Sequence, residues 1–269
     1  MLKKLFILIL FIFLGVSSAF AGEIKFVQVT DVHFTLRSKY TADVLKATVK
    51  DINAQPNISF VVFTGDNIDT SSEENLQAFM KIVKKLNVPY YIVLGNHDVF
   101  KTNGVSKQRY YEIVRKYKFF SRQNKRNFVL KKGEFVFIGL DGAKESIPGP
   151  GGYYRVATLD WLDKQLTKNK RRKVVIMQHF PILVPTESNK THRVYQPENY
   201  YAVLEKHDNV IAIISGHYHM NREKMENGIY HISSPSLAAV TNPYKIIDIV
   251  TTKGFSPMIY TQIREVDFH

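Results

Sequence analysis

The chain reads as an α/β protein in which two sheets pack as a sandwich flanked by helices, and three observations predict it. Short apolar runs rich in β-branched and aromatic residues alternate with amphipathic helical stretches, the pattern of βαβ units with parallel strands. More runs of the same kind follow in the second half, enough for a second sheet. Most of these runs stop at Gly, Asp, Asn or His, so polar side chains collect at strand ends, where α/β sheets place their chemistry. With 269 residues and 45% hydrophobic content, the chain can bury a full core in one domain.

Glu23–Thr30 is the first predicted strand and ends in Asp31-Val32-His33; alternation in an extended chain would point Asp31 and His33 the same way. A helix over Thr41–Asn53 presents Leu45, Val49 and Ile52 on one face. Ile58–Thr64 is a second strand, closed by Gly65-Asp66, and Ser71 with Glu74 offers a capping box for a helix carrying Leu76, Phe79, Met80, Val83 and Leu86. After Pro89 a third strand runs from Tyr91 into Gly95-Asn96-His97-Asp98, where the glycine allows a sharp exit. A softer pattern predicts a helix over Tyr110–Phe120, then a strand pair, Phe128–Lys131 and Phe135–Leu140, turning at Lys132-Gly133. Ile147–Gly152 is a loop, and Thr158 is expected to cap a helix whose Leu159, Leu162 and Leu166, with the sole tryptophan Trp161, face the core. Lys173–Gln178 ends at His179, and Ile182–Pro197 shows no periodicity, the mark of a long loop. A helix over Asn199–Lys206 precedes Val210–Ile214, which ends in Gly216-His217-Tyr218-His219. Ile229–Ser233, Lys245–Val250 and Met258–Ile263 read as three further strands, expected to be antiparallel.

Residues 1–21 combine Lys3 and Lys4, an apolar run from Leu5 to Leu14 and a small-residue stretch ending Ala19-Phe20-Ala21. This is the layout of a secretory signal peptide, with cleavage expected after Ala21, export of the chain, and a single domain over 22–269. An uncleaved anchor is the alternative, although the run is shorter than the roughly 20 residues of a comfortable span. No cysteine is present, which excludes disulfides and leaves any metal site to nitrogen and oxygen ligands. The formal charge is +13, of which Lys3 and Lys4 supply two, and such an excess favours anionic partners. The densest basic run, Lys168–Lys173, reads as a solvated turn, and no zinc-finger spacing or long basic helix points to a dedicated nucleic-acid reader.

The strand-end groups are Asp31, His33, Asp66, Asn96, His97, Asp98, His179, His217 and His219. Carboxylates, imidazoles and an amide without any thiolate suit Mn, Fe, Zn or Co at about six-coordination. Seven of them could bind metal directly, too many for one ion, so two ions sharing a ligand is the natural arrangement.

In this order the motifs DxH, GD, GNHD, a later His and GHxH resemble the calcineurin-like metallophosphoesterases, whose four-layer αββα fold the resemblance implies. It implies that Asp31, His33 and His219 hold one divalent transition-metal ion (Mn, Fe or Zn), that Asn96, His179 and His217 hold the other, and that Asp66 bridges them. His97 would face the substrate phosphoryl group and the leaving oxygen, with Asp98 holding its ring. The implied reaction is hydrolysis of a phosphate ester by a hydroxide bridging the ions. Asp69 stands where purple acid phosphatases have a tyrosine, and His33 is a ligand they lack. The DxH version in one domain looks most like the cyclic-nucleotide phosphodiesterase branch. A phosphomonoesterase or protein phosphatase of the same family, and a binding protein that has lost the chemistry, are the alternatives. His192 and Arg193 follow a ligand histidine in the long loop and are candidates for substrate contact.

Overall fold

The computed structural model describes residues 20–117, 123, 125–185 and 190–267. Residues 1–19 of the expected signal peptide, the end of the helix expected to reach Phe120, part of the 182–197 loop and His269 lie outside them. Among the described residues no helix is long and apolar enough to cross a membrane.

Two mixed sheets form the centre. In the first, β1 (Phe20–Val29), β2 (Val61–Thr64) and β3 (Tyr90–Val93) are parallel, as the βαβ reading predicts, with α1 (Lys39–Ala54) and α2 (Glu73–Val83) as the crossovers. β10 (Pro243–Thr252) and β11 (Met258–Glu265) extend that sheet antiparallel beyond β1, in the order β11-β10-β1-β2-β3. In the second sheet, β4 (Phe128–Lys132) pairs antiparallel with β5 (Phe135–Gly139). Then β5, β6 (Lys173–Met177), β7 (Val210–Ser215) and β9 (Ile229–Ser233) run parallel, with β8 (Arg222–Glu226) antiparallel at the edge. The remaining helices are α3 (Lys107–Lys116), α4 (Val156–Lys168) and α5 (Pro197–Leu204).

Period-two alternation sorts the side chains. On β1, Ile24 and Phe26 join Phe60, Val62, Phe137, Val175, Met177, Ile214 and Ile247 in a cluster between the sheets. Phe26 stacks on Phe60 at 4.9 Å, and Phe137 meets Phe60 edge-on at 4.8 Å from the opposite sheet. Val27 and Val29 belong instead to the cluster that includes Leu45 and Val49 of α1 and Leu76 and Phe79 of α2. Leu159, Leu162 and Leu166 of α4 play the same part for β5 and β6.

Some expectations are corrected. Ser72, one residue later than expected, caps α2 by accepting from Asn75 N, while Ser71 Oγ bonds Asp98 O and Val105 N. Thr158 lies inside α4, whose cap residue Arg155 makes no side-chain bond. Trp161 packs against the core only partly buried. The three tail strands are not one antiparallel set, because Ile229–Ser233 adds to the second sheet parallel to β7. Its hairpin partner β8 gave no apolar signal, being a mostly exposed edge strand of sequence REKME.

Candidate metal centre

The parallel strands of both sheets end on one side of the sandwich, and their exits are tied to one another. Asp31 N donates to Gly65 O and His33 N to Asp66 O, each at 3.0 Å, and Gly216 N donates to His179 O at 3.1 Å. Asp66 Oδ1 accepts His97 N at 2.9 Å, and Asp31 Oδ2 accepts His217 N at 3.0 Å. Gly95 and Gly216 allow this closeness: a Cβ on Gly95 would strike the Asp66 carboxylate and backbone, and one on Gly216 would strike Thr30 Oγ1.

Strand alternation is not what brings Asp31 together with His33, or His217 with His219. Asp31, His33, Asp66, His217 and His219 all have left-handed backbone, at φ 51°, 45°, 49°, 73° and 55°. Each is past the last ladder bond, where the chain curls and turns both residues of a pair inward. The conformation is uncommon outside Gly, Asp and His adopt it more readily than most residues, and such backbone clusters at functional sites.

The donors fall into overlapping groups within which ligand atoms lie no more than 4.8 Å apart: Asp31, His33 and His219; Asp66, His179 and His217; and His33, Asp66 and His97. Asp66 is shared. His179 Nδ1 is 2.8 Å from Thr64 O, which fixes the proton there and leaves Nε2 buried with no hydrogen-bond partner, 3.3 Å from Asp66 Oδ2 and 4.0 Å from Asp31 Oδ1. Asn96 Oδ1 is likewise buried without a partner. His33 Nε2 and His219 Nε2 stand 3.4 Å apart, and His219 Nε2 is 3.4 Å from Asp31 Oδ1. His217 gives its Nε2–H to His192 O at 3.1 Å, leaving Nδ1 with a free lone pair. An unpartnered buried Asn96 oxygen, and imidazole nitrogens gathered against the carboxylates of Asp31 and Asp66, are suited to cations, so the residues fit a pair of metal ions.

The electrostatics of the ion-free site agree. Burial pushes Asp66 up, yet His179, His97 and His33 outweigh it and hold the carboxyl well below the usual carboxylate range. Burial would lower the His179 ring, but Asp66 and then Asp31 raise it to about 9. His217 is pushed down to about 3 by burial and then by the charge on His179. A proton on His179 thus holds the place of positive charge beside Asp66.

One expected role is overturned. Asp98 does not hold the His97 ring: its carboxylate, fully buried, accepts from Asn67 N, Ile68 N and Gly95 N at 2.9, 3.1 and 2.8 Å and from Asn67 Nδ2 at 2.9 Å. It ties the turn after β2 to the turn after β3, and burial together with the Asp66 charge pushes it up to about 7. Adjacent residues leave a tight turn in different directions, so sequence proximity misled. His97 is exposed, its Nδ1 lies 2.7 Å from Asp69 O, and its ring meets His33 edge-on at 4.7 Å. Asp69, Asn67 and Thr64 are positioning residues that sequence reasoning missed, since each acts largely through backbone or at second hand. His192 sits with its ring 5.3 Å from that of His217, and Arg193 Nε is buried without a partner.

Two sheets, helices on both outer faces and paired donor groups at the strand ends define a metallophosphoesterase, and the sequence matches the family of calcineurin-like phosphoesterases over residues 24–221. The chain belongs to that family, whose members are hydrolases of phosphoric ester bonds. Among its relatives is a protein named probable glycerophosphodiester phosphodiesterase GpdQ from Arcobacter nitrofigilis, 31% identical over 223 residues that cover 78% of this chain and 77% of that protein. The 3',5'-cyclic-nucleotide phosphodiesterase alr5338 from Nostoc sp. is 24% identical over 79% of this chain and 78% of its own length. The crystal structure of a dimetal phosphatase from Danio rerio superimposes with TM-score 0.64 at 17% identity, covering 88% of this chain and 98% of the other, a likeness of fold.

Proposed function

We propose that the chain is an exported phosphodiesterase dependent on two divalent transition-metal ions. The observation that carries this reading is that Asp66 belongs both to a donor group with His179 and His217 and to one with His33 and His97. Asp31, His33 and His219 would hold one ion, and Asn96, His179 and His217 the other, with Asp66 between them. When bound, the ions lower the pKa of water to supply a nucleophile near neutral pH and neutralise the phosphoryl charge. Asp98 and Asn67 fix the turns that carry Asp66 and Asn96, and Thr64 O and His192 O fix the rings of His179 and His217. His97, with Nδ1 committed to Asp69 O, has Nε2 free to donate a proton to the departing oxygen when the ring is protonated. The diester preference rests on relatives named for glycerophosphodiester and cyclic-nucleotide hydrolysis.

Export rests on the sequence of residues 1–21, followed by one metallophosphoesterase domain over 22–269. Cleavage after Ala21 is compatible with the sheet, since Gly22 pairs with Thr251 and the ladder is continuous from Glu23 onward, leaving only the Phe20–Thr252 pairing to be lost. The experiment is metal analysis of protein purified without chelator, followed by Mn²⁺ assays on bis-nitrophenyl phosphate, nitrophenyl phosphate, cyclic nucleotides and glycerophosphodiesters. Fewer than one ion per chain, or faster turnover of the monoester, would sink the reading.

A further inference from the structure

Away from the metal centre, a cavity of about 610 Å³ opens between α3, the loop that follows Asp98, and α4. Five cations line it, Lys101, Lys107, Arg115, Lys125 and Arg126, together with Trp161, and none of the metal-centre residues does. One carboxylate, Glu145, lines the cavity with these cations, and the buried Asp141 stands next to it. Asp141 Oδ2 takes Lys107 Nζ at 2.5 Å while its Oδ1 takes Ala143 N at 3.0 Å, and Glu145 Oε2 takes Lys107 N at 2.7 Å. Arg126 comes no nearer than 3.9 Å to that same Asp141. Among the described residues, Lys101, Arg115 and Lys125 form no ion pair within 4 Å. Five cations against the carboxylates of Glu145 and Asp141 leave a net positive charge around one concavity, which raises the local concentration of anions.

The shape narrows the anion. The open cations come from three stretches around the cavity, Lys101 from the loop after Asp98, Arg115 from α3, and Lys125 and Arg126 from the stretch before β4, because Lys107 Nζ is taken by Asp141 and the Tyr111 hydroxyl by Ile92 O. A single phosphate or carboxylate fills only part of a cavity of about 610 Å³ with cations on three sides, and a concavity of this size does not admit a duplex. We propose that this cavity is a second anion site that takes an oligophosphate, a ligand with two or more linked phosphate groups. Free inorganic oligophosphate and a nucleoside triphosphate share that chemistry; the nucleotide also presents an aromatic base to Trp161.

Trp161 is the only tryptophan in the chain, so its emission reports on this cavity and on no other place. The full-length Mn²⁺-loaded protein is titrated with tripolyphosphate at fixed free Mn²⁺, following fluorescence and calorimetry, with orthophosphate and ATP as separate arms. Tripolyphosphate is expected to give one saturable change, with orthophosphate at least 100-fold weaker. Arg115→Ala and Lys125→Ala, both at exposed positions, should each weaken binding about tenfold, the loss of one charge-assisted contact. Turnover of bis-nitrophenyl phosphate by these variants should stay at the wild-type level, which also shows that they fold. Equal affinity for ATP identifies the phosphate chain as the recognised part, and tighter binding of ATP adds stacking on Trp161; both support the site. Binding that ignores Arg115→Ala and Lys125→Ala, that is absent altogether, or that disappears in Asp66→Asn because the anion sits on the metal ions, overturns it.

Discussion

Replacing Asp66 with Asn keeps size and shape, and one oxygen can still accept from His97 N, but the negative charge shared by the donor groups is gone. The structure supplies a magnitude. Against its burial, the His179 ring is raised from 6.5 to about 9, which at 1.36 kcal/mol per unit is about 3 kcal/mol of net attraction for positive charge, with Asp66 the main source. Without that charge burial is opposed only by Asp31 and the Thr64 carbonyl, and His179 in the metal-free variant should titrate well below 9, read directly from its imidazole NMR signals. Metal capture needs the neutral ring. In the wild type, affinity at the His179 site should therefore rise about tenfold per pH unit as pH climbs towards 9 and level off above it, because each ion displaces one proton. In Asp66→Asn the same levelling should move to lower pH with the His179 ring, while absolute affinity falls at both sites. Loss of several kcal/mol of transition-state stabilisation predicts turnover down on the order of 10³-fold. An Asp66→Asn protein with two tightly held ions and near-normal turnover of bis-nitrophenyl phosphate would refute the shared role, and a His179 still titrating near 9 would refute the electrostatic argument separately.

Asp98→Ala should lower metal content and slow every substrate alike, because four donors around the Asp66 and Asn96 turns lose their acceptor; an effect confined to esters with poor leaving groups would restore Asp98 as the partner of His97. His97→Asn should retain both ions, cost little on nitrophenyl esters and slow alkyl esters about 10² to 10⁴-fold, the range of a general acid, whereas equal slowing of both would make it a stabiliser of phosphoryl charge. Phe60→Ala removes a fully buried ring that stacks on Phe26 and meets Phe137, and should cost about 3 to 5 kcal/mol in urea unfolding while leaving metal affinity in the folded protein unchanged.

The fold was legible where burial imposes a pattern. Continuous apolar runs identify β2, β3, β6 and β7 because both faces of each are covered, alternation identifies β1, and a helix between successive runs forces parallel order. The sequence is silent where neither condition holds. β8 faces solvent with charged residues, and the sheet to which Ile229–Ser233 belongs depends on which strand edge stands free once everything else has packed. Helix starts slipped by a few residues for a similar reason, since Ser71, with Glu74 three residues on, is the better cap on paper and only the loop bonded to Ser71 Oγ leaves that role to Ser72.

At the metal centre, the identities of the donors could be read and their geometry could not. Asp31, His33, Asp66, His217 and His219 stand together because each adopts a backbone that costs about 1 to 3 kcal/mol for an ordinary residue, and nothing in a one-dimensional pattern marks such a cost. The argument from strand alternation grouped the right residues for the wrong reason. The same blindness explains the error at Asp98: a carboxylate next to His97 in sequence became its supposed partner, while the group that meets the ring is the main-chain oxygen of Asp69, whose side chain carries no information about that contact. The strain also bears on how the site is assembled. Five left-handed residues and a buried Asn96 oxygen without a partner resist folding, and the bonds through Asp98 and Asn67 hold the turns against them. Cations bound between these donors would partner Asn96 Oδ1 and take the place of the proton on His179, so metal affinity and local stability at this end of the sandwich should rise and fall as one.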